Sequence, residues 1–127
     1  MTNFISFIIV GAGGFFGAIV RLGLINIFNT QSFTYGTLFA NSLGSFLAGV
    51  FFVIISEKLV LTDAYRLALI VGFCGSLTTL SAISLDSVNL FLNDDYYLAI
   101  LNFISNIILS VVFVIIGIYL TRLLTFF

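Results

Sequence analysis

Four long apolar runs, at about 4–28, 35–56, 67–92 and 96–121, fill almost the whole chain, with short polar connections between them. Each exceeds the roughly 20 residues that take an α-helix across a bilayer core. A charged fraction of 7% agrees, since soluble domains hold about a quarter. The sequence therefore predicts an all-α membrane protein of four transmembrane helices, a single domain over 1–127. The tyrosines (Tyr35, Tyr65, Tyr96, Tyr97, Tyr119) fall near the predicted helix ends, where an amphipathic ring belongs at headgroup level. The first run has no basic segment ahead of it and outlasts a leader's apolar core, so it reads as a true span.

Composition removes several function classes. With one cysteine, Cys74, and no histidine, there is no disulfide framework, thiolate metal cluster or imidazole for proton transfer. No nucleophile–base pair or cofactor loop is present, so the chain is not expected to be an enzyme. A net charge of -1 suggests no nucleic-acid partner. GAGGFFGA, Gly11 to Ala18, departs from dinucleotide-loop spacing and follows no strand. Its small residues, Gly13 with Gly17 and Gly14 with Ala18, suit close helix packing. Lys58, Arg66 and Arg122 share one side of a four-span topology, against Arg21 at most on the other. The positive-inside rule then puts both termini in the cytoplasm, with the cell membrane as the location.

The polar residues inside the spans carry the functional signal. The third run is interrupted by GFCGSLTTLS, Gly72 to Ser81. In hydrocarbon, irregular backbone is tolerated only against protein or a water-filled path. With no proline in the chain, a break here must arise from glycine and side-chain hydrogen bonding. Thr37, Asn41 and Ser45 recur every four residues in the second run, and Asn102, Asn106 and Ser110 do so in the fourth, with Ser105 beside them. Each set lies on one helix face. Singly, such residues serve as helix–helix glue, at about 0.6 kcal/mol per contact. As two stripes beside a broken helix they suggest a polar track, whose neutral donors can replace an ion's hydration shell stepwise. Arg21 lies about 10 Å from the far end of the first helix; it can snorkel to the interface or form an anion-attracting vestibule. Asp86 pairs with a basic group or faces water, and no acid–base role follows for it. Four helices enclose little space, so oligomerisation is expected.

Taken in order, GGFFGAIVR, GTLFANSLGSFLAG and GFCGSLTTLSAIS resemble the Fluc (CrcB-type) fluoride channel family over the whole chain. The resemblance implies an antiparallel dimer with fluoride pores along the subunit interface and a central structural Na+. By position it implies that Asn41 and Thr37 line the pore, with Asn106 and Ser110 on the track of the fourth helix, to which the four-residue spacing adds Asn102. It also implies Na+ coordination by the backbone carbonyls of Gly75 and Thr78, twice over in a symmetric dimer, with Thr79 and Ser81 facing the pore. Unwound carbonyls are suitable ligands for such a cation.

One departure from the family pattern is informative. Where the family reads TTFSTF, this chain reads TTLSAI, with Leu80 and Ile83 at both phenylalanine positions of the pore. A phenyl ring presents a positive edge to an anion that has shed water, and an aliphatic side chain does not. A chain inserting equally in both directions would also carry almost no Lys/Arg asymmetry. The expected assembly is therefore one subunit of a two-component channel, passively exporting fluoride beside an inverted homologue in membrane lipid, with a homodimer as the alternative. A non-conducting structural subunit is the rival within this family. A small multidrug exporter would need a carboxylate in the first span, and none is there.

Overall fold

The protein is described by a computed structural model covering residues 4–30, 33–58 and 62–125; the side chain of Lys58, counted above in the charge bias, lies outside the described residues. Among the described residues every regular element is helical. Helix α1 is Phe4–Phe28 and α2 is Tyr35–Phe52, which continues as a π-helical segment, Val53–Lys58. Helix α3, residues 63–77, consists of an α-helical turn, the π-helical stretch Arg66–Cys74, and a second short turn. Helices α4, Leu80–Leu92, and α5, Tyr96–Leu124, complete the chain.

Four helical spans, Phe4–Phe28, Tyr35–Glu57, Asp63–Leu92 and Tyr96–Leu124, are long and apolar enough to cross a membrane, so this is a multi-pass membrane protein. The third begins at Asp63, ahead of the apolar run that starts at 67, and the fourth continues to Leu124, beyond 121. Both extensions use polar residues that hydropathy alone assigns to connections. Arg122 sits in the last turn of α5, where its cation opposes the negative end of the helix dipole. Its Nε donates to Glu57 Oε2 at 3.0 Å, pinning that end to the π-helical tail of α2.

Large apolar residues such as Phe15, Phe16, Ile19 and Ile116 are exposed, whereas the buried positions of α2 are small or polar. That inverted distribution is what lipid-facing helices require, because lipid exerts no hydrophobic drive between them and packing depends on close approach. At two faces the approach leaves no room for a side chain. A Cβ on Gly13 or Gly17 would fall on the carbonyl oxygens of Ala68 and Phe73, which seats α1 against α3. Reciprocally, a Cβ on Gly49 would meet the Val114 carbonyl and one on Gly117 the Phe46 carbonyl, locking α2 to α5.

The connection between α4 and α5 is a tight reversal. Asp94 has φ 64°, and the Asp95 amide reaches back to the Leu90 carbonyl at 3.0 Å. This six-to-one bond satisfies a carbonyl that the helix end would otherwise leave unpaired.

Candidate functional site

Between α3 and α4 two residues leave helical geometry. Thr78 has φ -85° and ψ 152°, and Thr79 has φ -156° and ψ 122°. Both are extended, and neither is a glycine. Two hydroxyls act locally at this link. Thr78 Oγ1 donates to the Cys74 carbonyl at 2.9 Å, closing α3, and Thr79 Oγ1 accepts from the Ala82 amide at 3.2 Å, capping α4. The threonine pair thus ends one helix and starts the next, as short hydroxyl side chains do at caps.

The decisive contact comes from α2. The Thr79 amide donates to Asn41 Oδ1 at 2.7 Å. In a continuous helix that amide would serve the Gly75 carbonyl four residues back; its diversion leaves the Gly75 carbonyl without a helical partner. An amide can only donate, so the bond also fixes which way Asn41 points. Asn41 Nδ2 then faces Asn106 Oδ1 at 2.8 Å, with a longer contact of 3.4 Å to the Thr79 carbonyl.

The polarity carries on down α5. Asn106 Nδ2 donates to the carbonyl of Asn102 at 2.9 Å and to its Oδ1 at 3.1 Å. Asn102 Nδ2 in turn donates to Ser87 Oγ at 3.0 Å, while its Oδ1 accepts from Thr34 Oγ1 at 3.3 Å. Asn102 and Asn106 are fully buried, and Asn41 is 2% exposed. No buried side-chain polar atom among the described residues lacks a partner. Satisfaction matters here, because an unpaired buried polar group costs about 1–3 kcal/mol.

Two cavities open beside the link. One, of about 430 Å³, is a groove whose lining includes Asn41, Ser45, Thr79, Leu80, Ile83 and Ser110, together with Gly75 and Thr78. Among the described residues Ser45 and Ser110 make no side-chain hydrogen bond within the chain, so their protons are available to whatever occupies the groove. The other cavity, of about 580 Å³, is lined by Arg21, Thr79, Ser81 and apolar neighbours. Thr79 and Ser81 hydroxyls lie 2.9 Å apart; that bond uses one of their two protons and leaves the other for the cavity. Thr79 lines both cavities.

These contacts sort the residues that the sequence singles out. Asn41, Thr79, Leu80, Ile83 and Ser110 reach the groove, with Leu80 63% exposed and Ile83 5%. Arg21 and Ser81 belong to the second cavity. Thr37, Asn102 and Asn106 stand behind the groove, and Thr37 Oγ1 donates to Asp86 Oδ2 at 3.1 Å. Asp86 therefore pairs with a hydroxyl, an arrangement a span's lone carboxylate needs but sequence separation conceals. Ser45 was signalled by its four-residue step from Asn41; Thr34 and Ser87, which anchor Asn102, carried no such signal.

Comparison with known proteins gives the family. The family model described as CrcB-like protein, Camphor Resistance (CrcB), matches residues 8–118. The chain belongs to the CrcB family. A relative from Sulfurihydrogenibium sp. is 38% identical over 93% of this chain and 98% of its own length. One from Saccharophagus degradans is 36% identical over 95% and 92%, and one from Clostridium perfringens 39% over 92% and 94%. All three are named fluoride-specific ion channel FluC, so the CrcB relatives are channels and not enzymes.

Proposed function

We propose that this CrcB chain is a fluoride channel subunit, exporting fluoride passively across the cell membrane to lower its cytoplasmic concentration. The observation that carries the reading is the groove at the Thr78–Thr79 link. It is lined by hydroxyls at membrane depth and lies open on the surface of a single copy. Polar groups facing lipid are costly, so the open side calls for a second protein wall. A partner lying antiparallel supplies that wall and completes a pathway at the interface.

Fluoride is small and strongly hydrated, and a path for it must replace water with donors held at intervals. The free hydroxyls of Ser45 and Ser110 offer donors in the groove, and Ser81 offers one near Arg21, whose cation attracts an anion to the entrance. Thr37, Asn102 and Asn106 support this path from behind.

A structural Na+ fits the same link. The Gly75 carbonyl has lost its helical donor, and with the Thr78 carbonyl it provides the hard oxygen ligands such a cation takes. Two carbonyls are too few for a stable site, and a twofold-related partner would double them. When bound, the ion supplies a fixed positive charge that ties the two subunits together at their centre.

The two-component form of the assembly rests on Leu80 and Ile83, which give the groove no aromatic edge, and on the bias that places Lys58, Arg66 and Arg122 on one side, with the termini cytoplasmic. An inverted homologue carrying phenylalanines would supply the rings. The loss of both rings also favours a second reading, a non-conducting subunit that only supports its partner's pore. Fluoride efflux from liposomes holding this chain with an inverted homologue tests the first reading. Fluoride release without chloride release supports it, and flux no greater than from empty liposomes contradicts it. Ser45→Ala with Ser110→Ala in this chain separates the two readings, since a mere scaffold keeps full flux without them.

A further inference from the structure

We propose that Asn41 is a positioning residue: held by Asn106 and Asn102, it diverts the Thr79 amide and so keeps the Gly75 carbonyl open for a cation. The inference rests on the sodium reading given under Proposed function, and extends it to side chains that touch no ion.

Asn41 has one acceptor oxygen and two N–H groups. The oxygen is used by the Thr79 amide at 2.7 Å. One N–H is used by Asn106 Oδ1 at 2.8 Å, and the Thr79 carbonyl lies near the other at 3.4 Å. Asn41 thus spends its polar groups on the chain itself, two of them on the backbone of a single residue. A residue lining the groove chiefly as a donor to a passing ion would instead show a free N–H, as Ser45 and Ser110 show free hydroxyls.

Consider the link without this contact. The part-buried Thr79 amide would lose its acceptor, and its nearest remedy within the chain is the Gly75 carbonyl, reached if Thr78 and Thr79 return to helical dihedrals. The same change would occupy the carbonyl that a cation needs. Asn41 therefore selects between a continuous helix and an open carbonyl. Its own rotamer is selected by Asn106, and that of Asn106 by Asn102, which is clamped by Ser87 on α4 and Thr34 ahead of α2. The direction of every bond follows from the first, so the three amides act as one unit.

The test uses the full chain paired with its inverted homologue in lipid nanodiscs, with this chain alone isotope-labelled, and reads hydrogen exchange at its Thr79 amide. A parallel reading takes the Na+ concentration at half-maximal protection against thermal unfolding, with N-methylglucamine holding ionic strength constant. In Asn41→Ala, exchange at Thr79 is expected to accelerate about tenfold or more, while amides in α1 and mid-α5 keep native rates. The sodium midpoint is expected to rise by about tenfold. Asn106→Leu, which leaves the Thr79 contact in place but frees Asn41 to turn, should move both readouts in the same direction by less. Asn41→Asp at a pH that keeps the carboxyl neutral retains an acceptor and a donor, and should restore both. It also provides the answer if the alanine variant fails to fold.

Native exchange at Thr79 in Asn41→Ala overturns the proposal, as does fast exchange with an unchanged sodium midpoint. A native two-chain assembly that shows no sodium dependence, while Thr79 exchange responds as expected, is a different failure. It sinks the sodium reading itself and takes the cation half of this proposal with it.

Discussion

The side chain of Asn41 on α2 holds the backbone of Thr79 at the link between α3 and α4, through an amide-to-Oδ1 bond of 2.7 Å. The residues lie 38 positions apart, so the contact exists only once α2 is packed beside the link. A feature of local backbone is in this way governed by a distant side chain. The sodium and fluoride readings both depend on that local backbone.

The first prediction concerns stability. Asn41→Ala removes the partners of Asn106 Oδ1, which is buried, and of the Thr79 amide, which is part-buried. At about 1–3 kcal/mol for each unsatisfied group, the variant should unfold at clearly lower temperature in detergent. Asn41→Asp at low pH should recover most of the loss. Thermal unfolding followed by circular dichroism or by loss of the monodisperse peak checks both.

A second prediction separates two kinds of glycine. Gly117→Ala places a Cβ on the Phe46 carbonyl oxygen. Backbone cannot yield as a flexible side chain can, so α2 and α5 must move apart, at a cost of about 1–3 kcal/mol or more. Around Gly11 there is open space, and Gly11→Ala should be neutral or stabilising by about 0.5–1 kcal/mol, as for glycine replaced within a helix. Midpoints that moved equally would show that the α2–α5 contact is looser than described.

Arg21 gives a third prediction, this time for flux. It lines a cavity that shares Thr79 with the groove, so its charge should concentrate anions beside the groove. Arg21→Gln in the co-reconstituted channel should lower fluoride flux several-fold at low ionic strength. The difference should shrink as salt approaches about 0.15 M, where screening acts over ~8 Å. A deficit that does not change with salt would assign Arg21 to structure.

The fourth prediction concerns the missing rings. Leu80 is 63% exposed and lines the groove, so Leu80→Phe can be accommodated without rebuilding the interior. In this chain alone it should raise fluoride flux above that of the unaltered chain. Ile83 is 5% exposed, and Ile83→Phe should instead destabilise the fold by overpacking. Flux and unfolding midpoint should therefore both be higher for Leu80→Phe than for Ile83→Phe.

Much of the fold was legible in the sequence, because hydrocarbon imposes one strong rule on long apolar runs. The four spans, the close packing of Gly13 with Gly17, and the location of irregular backbone within 72–81 all follow from that rule. The helical turn at 63–65 and the extension to Leu124 did not, since hydropathy assigns polar ends to loops and the pairing of Arg122 with Glu57 forms only in the packed fold. Nor do composition or spacing announce the π-helical stretch Arg66–Cys74.

In the site, four-residue spacing placed Asn102, Asn106 and Ser110 on one face of α5 but could not say what each would meet. The face spirals past two environments. Ser110 reaches the groove, while the two asparagines turn into the bundle and bind each other and Asn41. Glycine and side-chain hydrogen bonding were the expected causes of the irregular backbone, and of the two it is the second that acts at the extended residues, Thr78 and Thr79. Hydroxyl caps on either side and the Asn41 acceptor hold them there.

The central claim is that this chain contributes one wall of a fluoride pathway and depends on another chain for the aromatic part. Fluoride efflux from liposomes holding this chain alone, compared at equal protein with liposomes that also hold an inverted homologue carrying phenylalanines, tests it most directly. Little efflux from the chain alone and rapid, fluoride-selective efflux from the pair is the predicted result. Full fluoride-selective efflux from this chain alone would contradict it.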